Sequence, residues 1–282
     1  MKCSIHLLHS RPRWSMFCFA LSIVTSVFMA KDASAAYTVY GLADVSAGGN
    51  GEKVEDFYVP QTAIADGVVV HGAQMDSAIG MYKANLATGI IGTYISGFSA
   101  SDWTAGGRAR ASFSENLSLE FPAGYYDTDQ YVEVEGQLTG TLSASGCDLY
   151  NRCSSASVSY SFWLGTHAGN DYFSGNPSVS SGDAGFTINT KFKLRALIVR
   201  AGTTFSTPTE LGVAVSADLS GNATAITQEG LDFANALHDF YQSGRLLAVH
   251  VPPGVTWTSE SGVFLSRVPK ALPWIPLLLL DD

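Results

Sequence analysis

The chain lacks the short motifs that mark the common catalytic and cofactor sites. It contains no Gly-x-Ser-x-Gly turn around a nucleophile, no glycine-rich loop for a phosphate, and no His-x-His or His-Glu-x-x-His pair for a metal ion. The histidines beyond residue 36 are scattered, at His71, His167, His238 and His250. Any site would have to be assembled from residues far apart in sequence, and we therefore predict no catalytic residues, no metal and no cofactor.

Positive charge is also scarce. The first 35 residues hold four of the 16 basic residues and one of the 25 acidic residues, which leaves 12 basic and 24 acidic residues in the remainder. Nucleic acids and anionic lipid surfaces bind clusters of Lys and Arg. We therefore expect no nucleic-acid partner, and the acidic remainder is compatible with a secreted protein.

The first 35 residues have the three-part layout of a secretory signal peptide. Lys2, Arg11 and Arg13 form a basic start, the run from Trp14 to Ala30 is apolar, and Ala33-Ser-Ala35 is a small-residue element that signal peptidase accepts. The alternative is an uncleaved membrane anchor, since the apolar run is nearly long enough to span a bilayer. The element that directly follows the run favours cleavage, and we predict an exported protein that begins at residue 36.

Two cysteines remain beyond the signal peptide, Cys147 and Cys153. An even number of cysteines in an oxidising compartment predicts a disulfide, here one that closes a short loop at the tip of a hairpin. The spacing is not that of a zinc site, and no histidine lies near enough in sequence to complete one. A loop this short would stabilise the fold by ~2 kcal/mol.

The dominant pattern is the alternation of apolar and polar residues in short runs separated by Gly, Ser, Asn and Asp. Arg108–Phe113 and Asn116–Phe121 are two such runs, and Tyr131–Glu135 continues into Leu138–Leu142. Alternation with a period of two predicts strands with one buried face. We therefore predict an all-β fold, a single antiparallel β-sandwich or jelly-roll-like domain over residues 36–266, with these core residues: Val132, Val134, Leu138 and Leu142.

The segment Leu231–Tyr241 fits two structures. Phe233, Leu237 and Phe240 recur at helical spacing, whereas Leu231, Phe233 and Leu237 also fit a strand. We predict a strand.

Two groups of acidic residues have a chemical interpretation. Glu133 and Glu135 share one face of a predicted strand, and paired carboxylates are what glycoside hydrolysis requires. A solvated strand face gives the same pattern and is the favoured interpretation. Asp127 and Asp129 lie in a predicted turn, where oxygen ligands could hold Ca²⁺, although an ordinary Asp turn explains them as well.

Aromatic residues give the one hypothesis for ligand binding. Trp163 and Tyr172 lie close to His167 and Asp171, in the only stretch that mixes aromatic and titratable side chains. Flat rings stack on sugars, so we name Trp163, Tyr172 and also Trp103 as ligand-binding residues of a carbohydrate-binding module. The alternative is a half-buried strand end and its loop.

The C-terminal end has a distinctive layout. Val268-Pro269 is followed by Trp274 and by the leucines of the segment 277–280, and the apolar stretch is too short to span a bilayer. This tail resembles the sorting signal of bacterial PEP-CTERM proteins, which end in a Val-Pro-Glu-Pro box, an apolar helix and a few basic residues. The segments Thr203–Ala217 and Val251–Leu265 are similar to stretches that commonly precede such a box. Here Lys270-Ala271 stands where that family has Glu-Pro, and the chain ends in two acidic residues, so residues 267–282 resemble a degenerate or truncated signal.

The resemblance implies a non-enzymatic exported protein. Its expected location is the cell surface or the extracellular matrix, or the periplasm if sorting fails, and its expected partner is extracellular polysaccharide. We expect no stable membrane anchor. A carbohydrate-binding module is the second hypothesis, and a secreted polysaccharide hydrolase or lyase that uses Glu133 and Glu135 is the third.

Overall fold

The computed structural model describes residues 37–58, 64–73, 76–100, 104–227 and 233–266. The signal peptide, the C-terminal tail and Trp103 lie outside these residues. Within the described part the chain forms sixteen strands and no helix, and hence no helix that could cross a membrane. The strands are β1 (Thr38–Ala47), β2 (Asn50–Tyr58), β3 (Ile64–Ala73), β4 (Asp76–Asn85), β5 (Ile90–Ser99), β6 (Thr104–Phe121), β7 (Gly124–Tyr126), β8 (Gln130–Ser145), β9 (Ser155–Thr166), β10 (Asn170–Gly175), β11 (Ser178–Ser180), β12 (Phe186–Val199), β13 (Thr203–Phe205), β14 (Thr209–Ile226), β15 (Ala234–His250) and β16 (Thr256–Ser259).

The strands form two large antiparallel sheets that pack against each other. The first sheet has the order β10-β9-β14-β6-β1-β2, with β11 added beside β9 and β16 beside β6. The second has the order β12-β8-β15-β5-β4-β3. Strands β7 and β13 form a separate two-stranded ribbon. The predicted all-β sandwich is thus confirmed.

Alternation along the strands builds the shared core. On β14, Val213, Val215 and Leu219 point inward and are buried, while Ser216 and Asp218 between them point outward. The four core residues predicted on β8 are all buried, with at most 1% of each exposed to solvent: Val132, Val134, Leu138 and Leu142. Burial of these apolar faces between the sheets is the main force that holds the sheets together.

The segment with two possible structures is a strand. From Ala234 onward it belongs to β15, which pairs with β5 on one side and β8 on the other, with a register shift between Phe240 and Gly244. A central strand satisfies its backbone groups on both sides, so tertiary pairing decides against the helical spacing of Phe233, Leu237 and Phe240. Leu231 and Asp232 lie outside the described residues.

The predicted disulfide is present. Cys147 and Cys153 are bonded, and they pair in an antiparallel β-bridge that closes a short turn, as predicted for a hairpin tip. The turn lies between β8 and β9, which belong to different sheets, so the same loop also carries the chain from one sheet to the other. Within the loop, the Asp148 carboxylate accepts hydrogen bonds from the backbone N–H groups of Tyr150 (2.9 Å) and Arg152 (2.8 Å).

The segment after β15 is built into the sandwich. Strand β16 pairs with residues Leu117–Glu120 of β6. Phe264 and Leu265 are buried in the core, and the N–H of Leu265 donates to the carbonyl of Leu86 (2.9 Å). The end of this segment, residues 258–260, lines a groove on the outer face of the first sheet.

Candidate functional site

A groove runs over the outer face of the first sheet, where β9, β14, β6 and β16 lie side by side. Its main part has a volume of about 600 Å³, and an adjoining recess has a volume of about 370 Å³. Ser118 and Thr258 line both parts, so the two adjoin each other. Both parts are open to solvent.

Small side chains form the floor. Gly165 of β9 pairs with Ala214 of β14, which pairs in turn with Asn116 of β6, and Gly212 pairs with Ser118. Directly paired residues lie on the same face of a sheet, so these positions form a patch with little side-chain bulk. The depression exists because larger side chains surround this patch.

Trp163 forms the wall on the β9 side. It lies two residues before Gly165 on the same outward face, and a Cβ atom at position 165 would come within 2.1 Å of its six-membered ring. The indole therefore occupies the space above Gly165, and it remains half-buried. The accessible part of the Trp163 ring therefore borders the groove.

The opposite wall is polar. Thr258, Ser259 and Glu260 line it. The Asn116 side-chain amide donates to the Glu260 carboxylate (3.3 Å), and the backbone N–H of Glu260 donates to the Asn116 carbonyl (2.9 Å). The wall and the floor are thus joined by hydrogen bonds.

A buried carboxylate fastens this wall from below. Glu115 points inward from β6, only 1% of it is exposed, and it accepts a hydrogen bond from the backbone N–H of Ser261 (3.1 Å). Burial raises the pKa of the Glu115 carboxyl group above its usual value. Phe264 packs edge-on against both Phe113 (6.3 Å between ring centroids) and Trp257 (6.4 Å). These contacts hold the β16 segment against β6.

The adjoining recess is acidic. Glu120 of β6 and Glu210 of β14 both line it, and they pair directly across the two strands on the outer face. The Ser118 hydroxyl donates a hydrogen bond to Glu210. Among the described residues that line the groove and the recess, none is Lys, Arg or His.

The structure brings together only part of the aromatic site predicted from sequence. Tyr172 of β10 pairs directly with Trp163 and is 67% exposed, so it stands beside the groove without lining it. His167 lines a separate recess with Arg200 and Phe205. Trp103 lies outside the described residues. Trp163 is therefore the one predicted ligand-binding residue placed in the groove.

Asp171 has a structural role. Its carboxylate accepts hydrogen bonds from the backbone N–H groups of Tyr172 (2.9 Å) and Arg195 (2.8 Å), which ties β10 to β12.

The acidic pair Glu133 and Glu135 does not resemble a hydrolase pair. Lys193 lies between them, 3.1 Å from Glu133 and 3.2 Å from Glu135, and His250 lies 3.3 Å from Glu135. The hydrogen bond from Lys193 is the main cause that lowers the pKa of Glu135. A general acid in glycoside hydrolysis needs the opposite shift. The interpretation as a solvated strand face fits this ion-paired geometry.

The predicted Asp turn also has an ordinary structural explanation. Asp129 accepts a hydrogen bond from the backbone N–H of Ala201 (2.8 Å). In the described part of the chain, no group of three or more His, Cys, Asp or Glu side chains could hold a metal ion.

Sequence reasoning missed most of the groove. Asn116, Gly212 and Thr258 come from three strands whose pairing cannot be read from the sequence. One local signal was available: Gly165 follows Trp163 at the strand period of two, so a ring and a gap share one face. Such a Trp-x-Gly element on a predicted strand indicates an aromatic ring lying against the sheet.

Comparisons with known proteins give no family for this chain. No protein-family model and no curated protein matches it. Among solved structures, Clostridium perfringens delta-toxin is similar with 9% identity and a TM-score of 0.14, over 77% of this chain and 92% of that one. A protein described as a pore-forming protein has 7% identity and a TM-score of 0.13, over 77% and 94%. Scores this low carry no argument about fold or function.

Proposed function

We propose that this is a non-enzymatic exported protein of the cell surface or extracellular matrix, and that it binds polysaccharide in the groove beside Trp163. The observation that carries the proposal is the indole held over Gly165 at the border of an open groove of about 600 Å³.

The groove has the chemistry that sugar rings require. A sugar presents an apolar face of C–H groups, which packs on an aromatic plane, and a rim of hydroxyl groups, which needs hydrogen-bond partners. Trp163 offers the plane, and Asn116, Ser118 and Thr258 offer amide and hydroxyl groups. A groove that is open to solvent and adjoins a second open recess suits a chain longer than a single sugar.

Export is supported by two features. The first 35 residues have the layout of a signal peptide. The disulfide between Cys147 and Cys153 fits a protein that folds in an oxidising compartment. The resemblance of the tail to PEP-CTERM sorting signals adds the cell surface as the expected destination, with the periplasm as the destination if sorting fails.

The non-enzymatic part of the proposal concerns the carboxylates. Glu133 and Glu135 are ion-paired far from the groove. Glu260 of the groove and Glu120 and Glu210 of the recess are exposed to solvent. The buried Glu115, whose pKa is raised, points into the core and does not line the groove. Hydrolysis needs one carboxyl group that stays protonated, usually because it is desolvated in an apolar environment. We therefore expect binding without release of reducing ends.

The test is a glycan array followed by affinity electrophoresis in gels that contain a retained polysaccharide. The chain from residue 36 should be retarded, and Trp163→Ala should abolish the retardation, while Trp163→Tyr should keep part of it. Tyr150→Ala is the matched control, because Tyr150 is 79% exposed in the disulfide loop and does not line the groove. Undiminished retardation of Trp163→Ala would contradict the proposal, and turnover of the bound polysaccharide would contradict its non-enzymatic part.

A further inference from the structure

We propose, on the basis of the function proposed above, that the groove selects polysaccharides by charge. It takes chains that carry free amino groups, such as polymers of glucosamine, in preference to neutral chains, and it rejects chains that carry uronate or sulfate groups.

The charged side chains among the described residues that line the groove and the recess are all acidic. Glu260 lines the main part of the groove, and Glu120 and Glu210 line the adjoining recess. The described lining residues include no cationic side chain. Carboxylates that face water are negative at neutral pH. A sugar bound against Trp163 therefore places its neighbours in a negative potential, which attracts ammonium groups and repels carboxylate and sulfate groups.

Strand pairing brings two of these carboxylates, those of Glu120 and Glu210, together. They pair directly across β6 and β14 on the outward face, and like charges directly opposite each other destabilise a sheet. Among the described residues, neither carboxylate forms an ion pair within 4.0 Å. A ligand ammonium between these strands would relieve the repulsion.

The same outer face shows the contrasting arrangement at its other end. There Asp44 is paired with Arg108 at 3.2 Å, and Asp218 is paired with Arg110 at 2.5 Å. These two outward acids are thus compensated by arginines on a neighbouring strand, whereas Glu120 and Glu210 form no such ion pair with a described residue. Their recess adjoins the groove with the aromatic wall and the small-residue floor, which are independent features of a binding site.

The size of the effect follows from ordinary surface ion pairs. Each contact between an exposed carboxylate and an ammonium group strengthens binding by a factor of about 1.4 to 5. Two such contacts predict a preference of about tenfold for an amino polysaccharide over its N-acetylated counterpart. Because the contacts are exposed, the preference should shrink as salt rises from about 0.02 M to 0.5 M.

The experiment compares three immobilised polysaccharides: chitosan, chitin oligomers with N-acetyl groups, and alginate. Since the whole chain is acidic and would be drawn to any cationic polymer, the key variants are two pairs with the same change in net charge. Glu120→Gln/Glu210→Gln alters the groove, and Glu133→Gln/Glu135→Gln alters the outer face of the second sheet. Dissociation constants are measured by biolayer interferometry at low and high salt, with and without EDTA.

The unaltered protein should bind chitosan about tenfold more tightly than the N-acetylated oligomers, and alginate not at all. The groove pair of substitutions should bring chitosan to the level of the N-acetylated oligomers, and the control pair should leave the ratio unchanged. Equal effects of the two pairs would overturn the inference, because the attraction would then come from net charge alone. Binding of alginate that EDTA abolishes would also overturn it, since the carboxylates would then hold a bridging cation.

Failure of the inference and failure of the proposed function give different results. If Trp163→Ala loses all binding while Glu120→Gln/Glu210→Gln changes nothing, the groove binds polysaccharide but does not select by charge. If Trp163→Ala binds chitosan normally while the glutamine pair does not, charge selects and the stacking function is wrong. If no polysaccharide binds, both are wrong.

Discussion

The two acidic pairs on the outer faces of this sandwich have opposite environments. Glu133 and Glu135 lie two residues apart on β8 of the second sheet, with Lys193 between them. Glu120 and Glu210 lie on neighbouring strands of the first sheet and face each other, and no described residue that lines their recess is cationic. The first pair is visible in the sequence, and Lys193 and Arg195 form ion pairs with it. The second is visible only in the fold, and we propose that its charge serves a ligand.

Two carboxylates on one face of a strand therefore do not indicate a function until the residues on the neighbouring strands are known. An ion-paired acid on a strand contributes a small amount of stability and has a lowered pKa, as Glu135 does. Two acids brought together by strand pairing cost stability unless something else binds there. Such a cost is expected at a binding site, where local rules of stability give way to function.

The largest expected effect comes from acid acting on a buried histidine that belongs to neither pair. His238 is fully buried between the sheets, with Nε2 2.7 Å from the Thr93 hydroxyl and Nδ1 3.0 Å from the Ser157 carbonyl. The carbonyl can only accept, so Nδ1 carries the proton and Nε2 accepts from Thr93. Burial lowers the pKa of His238 from 6.5 to about 4.

The sign of this shift predicts a loss of stability in acid. The unfolded chain takes up a proton near pH 6.5 and the folded protein only near pH 4, so stability falls as pH drops through this window. From pH 7 to pH 4 the loss from His238 should be about 3 kcal/mol. Urea unfolding across this range measures it, and His238→Gln should flatten the pH dependence. An equally steep dependence in that variant would assign the acid lability to the surface carboxylates instead.

The next effect comes from removing the cation that Glu133 and Glu135 share. Lys193→Gln leaves two carboxylates on one face with less compensation, which makes this pair more like the one in the groove. We expect a small loss in the free energy of unfolding, since two exposed ion pairs are broken. Lys191→Gln on the same strand is the control and should change stability less. An equal loss in both variants would show that the ion pairs contribute nothing.

The smallest expected effect is a change in the free energy of unfolding when one glutamate of either pair is replaced by glutamine. The sign of this change should differ between the two pairs. Glu120→Gln removes repulsion with Glu210 and should raise the free energy of unfolding by about 0.5 kcal/mol. Glu135→Gln removes an attraction to Lys193 and His250 and should lower it by a similar amount. Chemical denaturation of both variants at low salt measures the difference, which should narrow at high salt. Changes of the same sign would remove the distinction between the pairs.

The fold was more predictable than the site. Alternation identified the inward residues of β8 correctly, because burial of one face is a local property of a strand. The same pattern predicted two separate strands in place of β6, with a break at residues 114 and 115. The break was predicted because Glu115 occupies an inward position where an apolar residue is expected. The chain continues there as one strand, and Ser261 from a distant segment supplies a hydrogen bond to this carboxylate (3.1 Å). That compensation cannot be read from residues 104–121.

The disulfide and the groove also separate what the sequence predicts from what only the fold shows. The presence of just two cysteines beyond the signal peptide predicted their bond, but only the sheet order shows that their loop joins two different sheets. Trp163 was proposed from its chemistry, whereas Gly212, Asn116 and Thr258 reach it through pairings across roughly 50 to 140 residues of sequence. Register between distant strands is set by the whole fold, and a single sequence does not specify it.

The most direct test of the binding groove is the indole N–H resonance of Trp163, assigned by its loss in Trp163→Phe and followed by ¹H–¹⁵N NMR during titration with a chitosan oligosaccharide. A sugar stacked on the ring changes the magnetic environment of that proton, so the resonance should shift progressively and saturate as the groove fills. A resonance that stays in place while the protein demonstrably binds the oligosaccharide would put the ligand elsewhere and contradict the account.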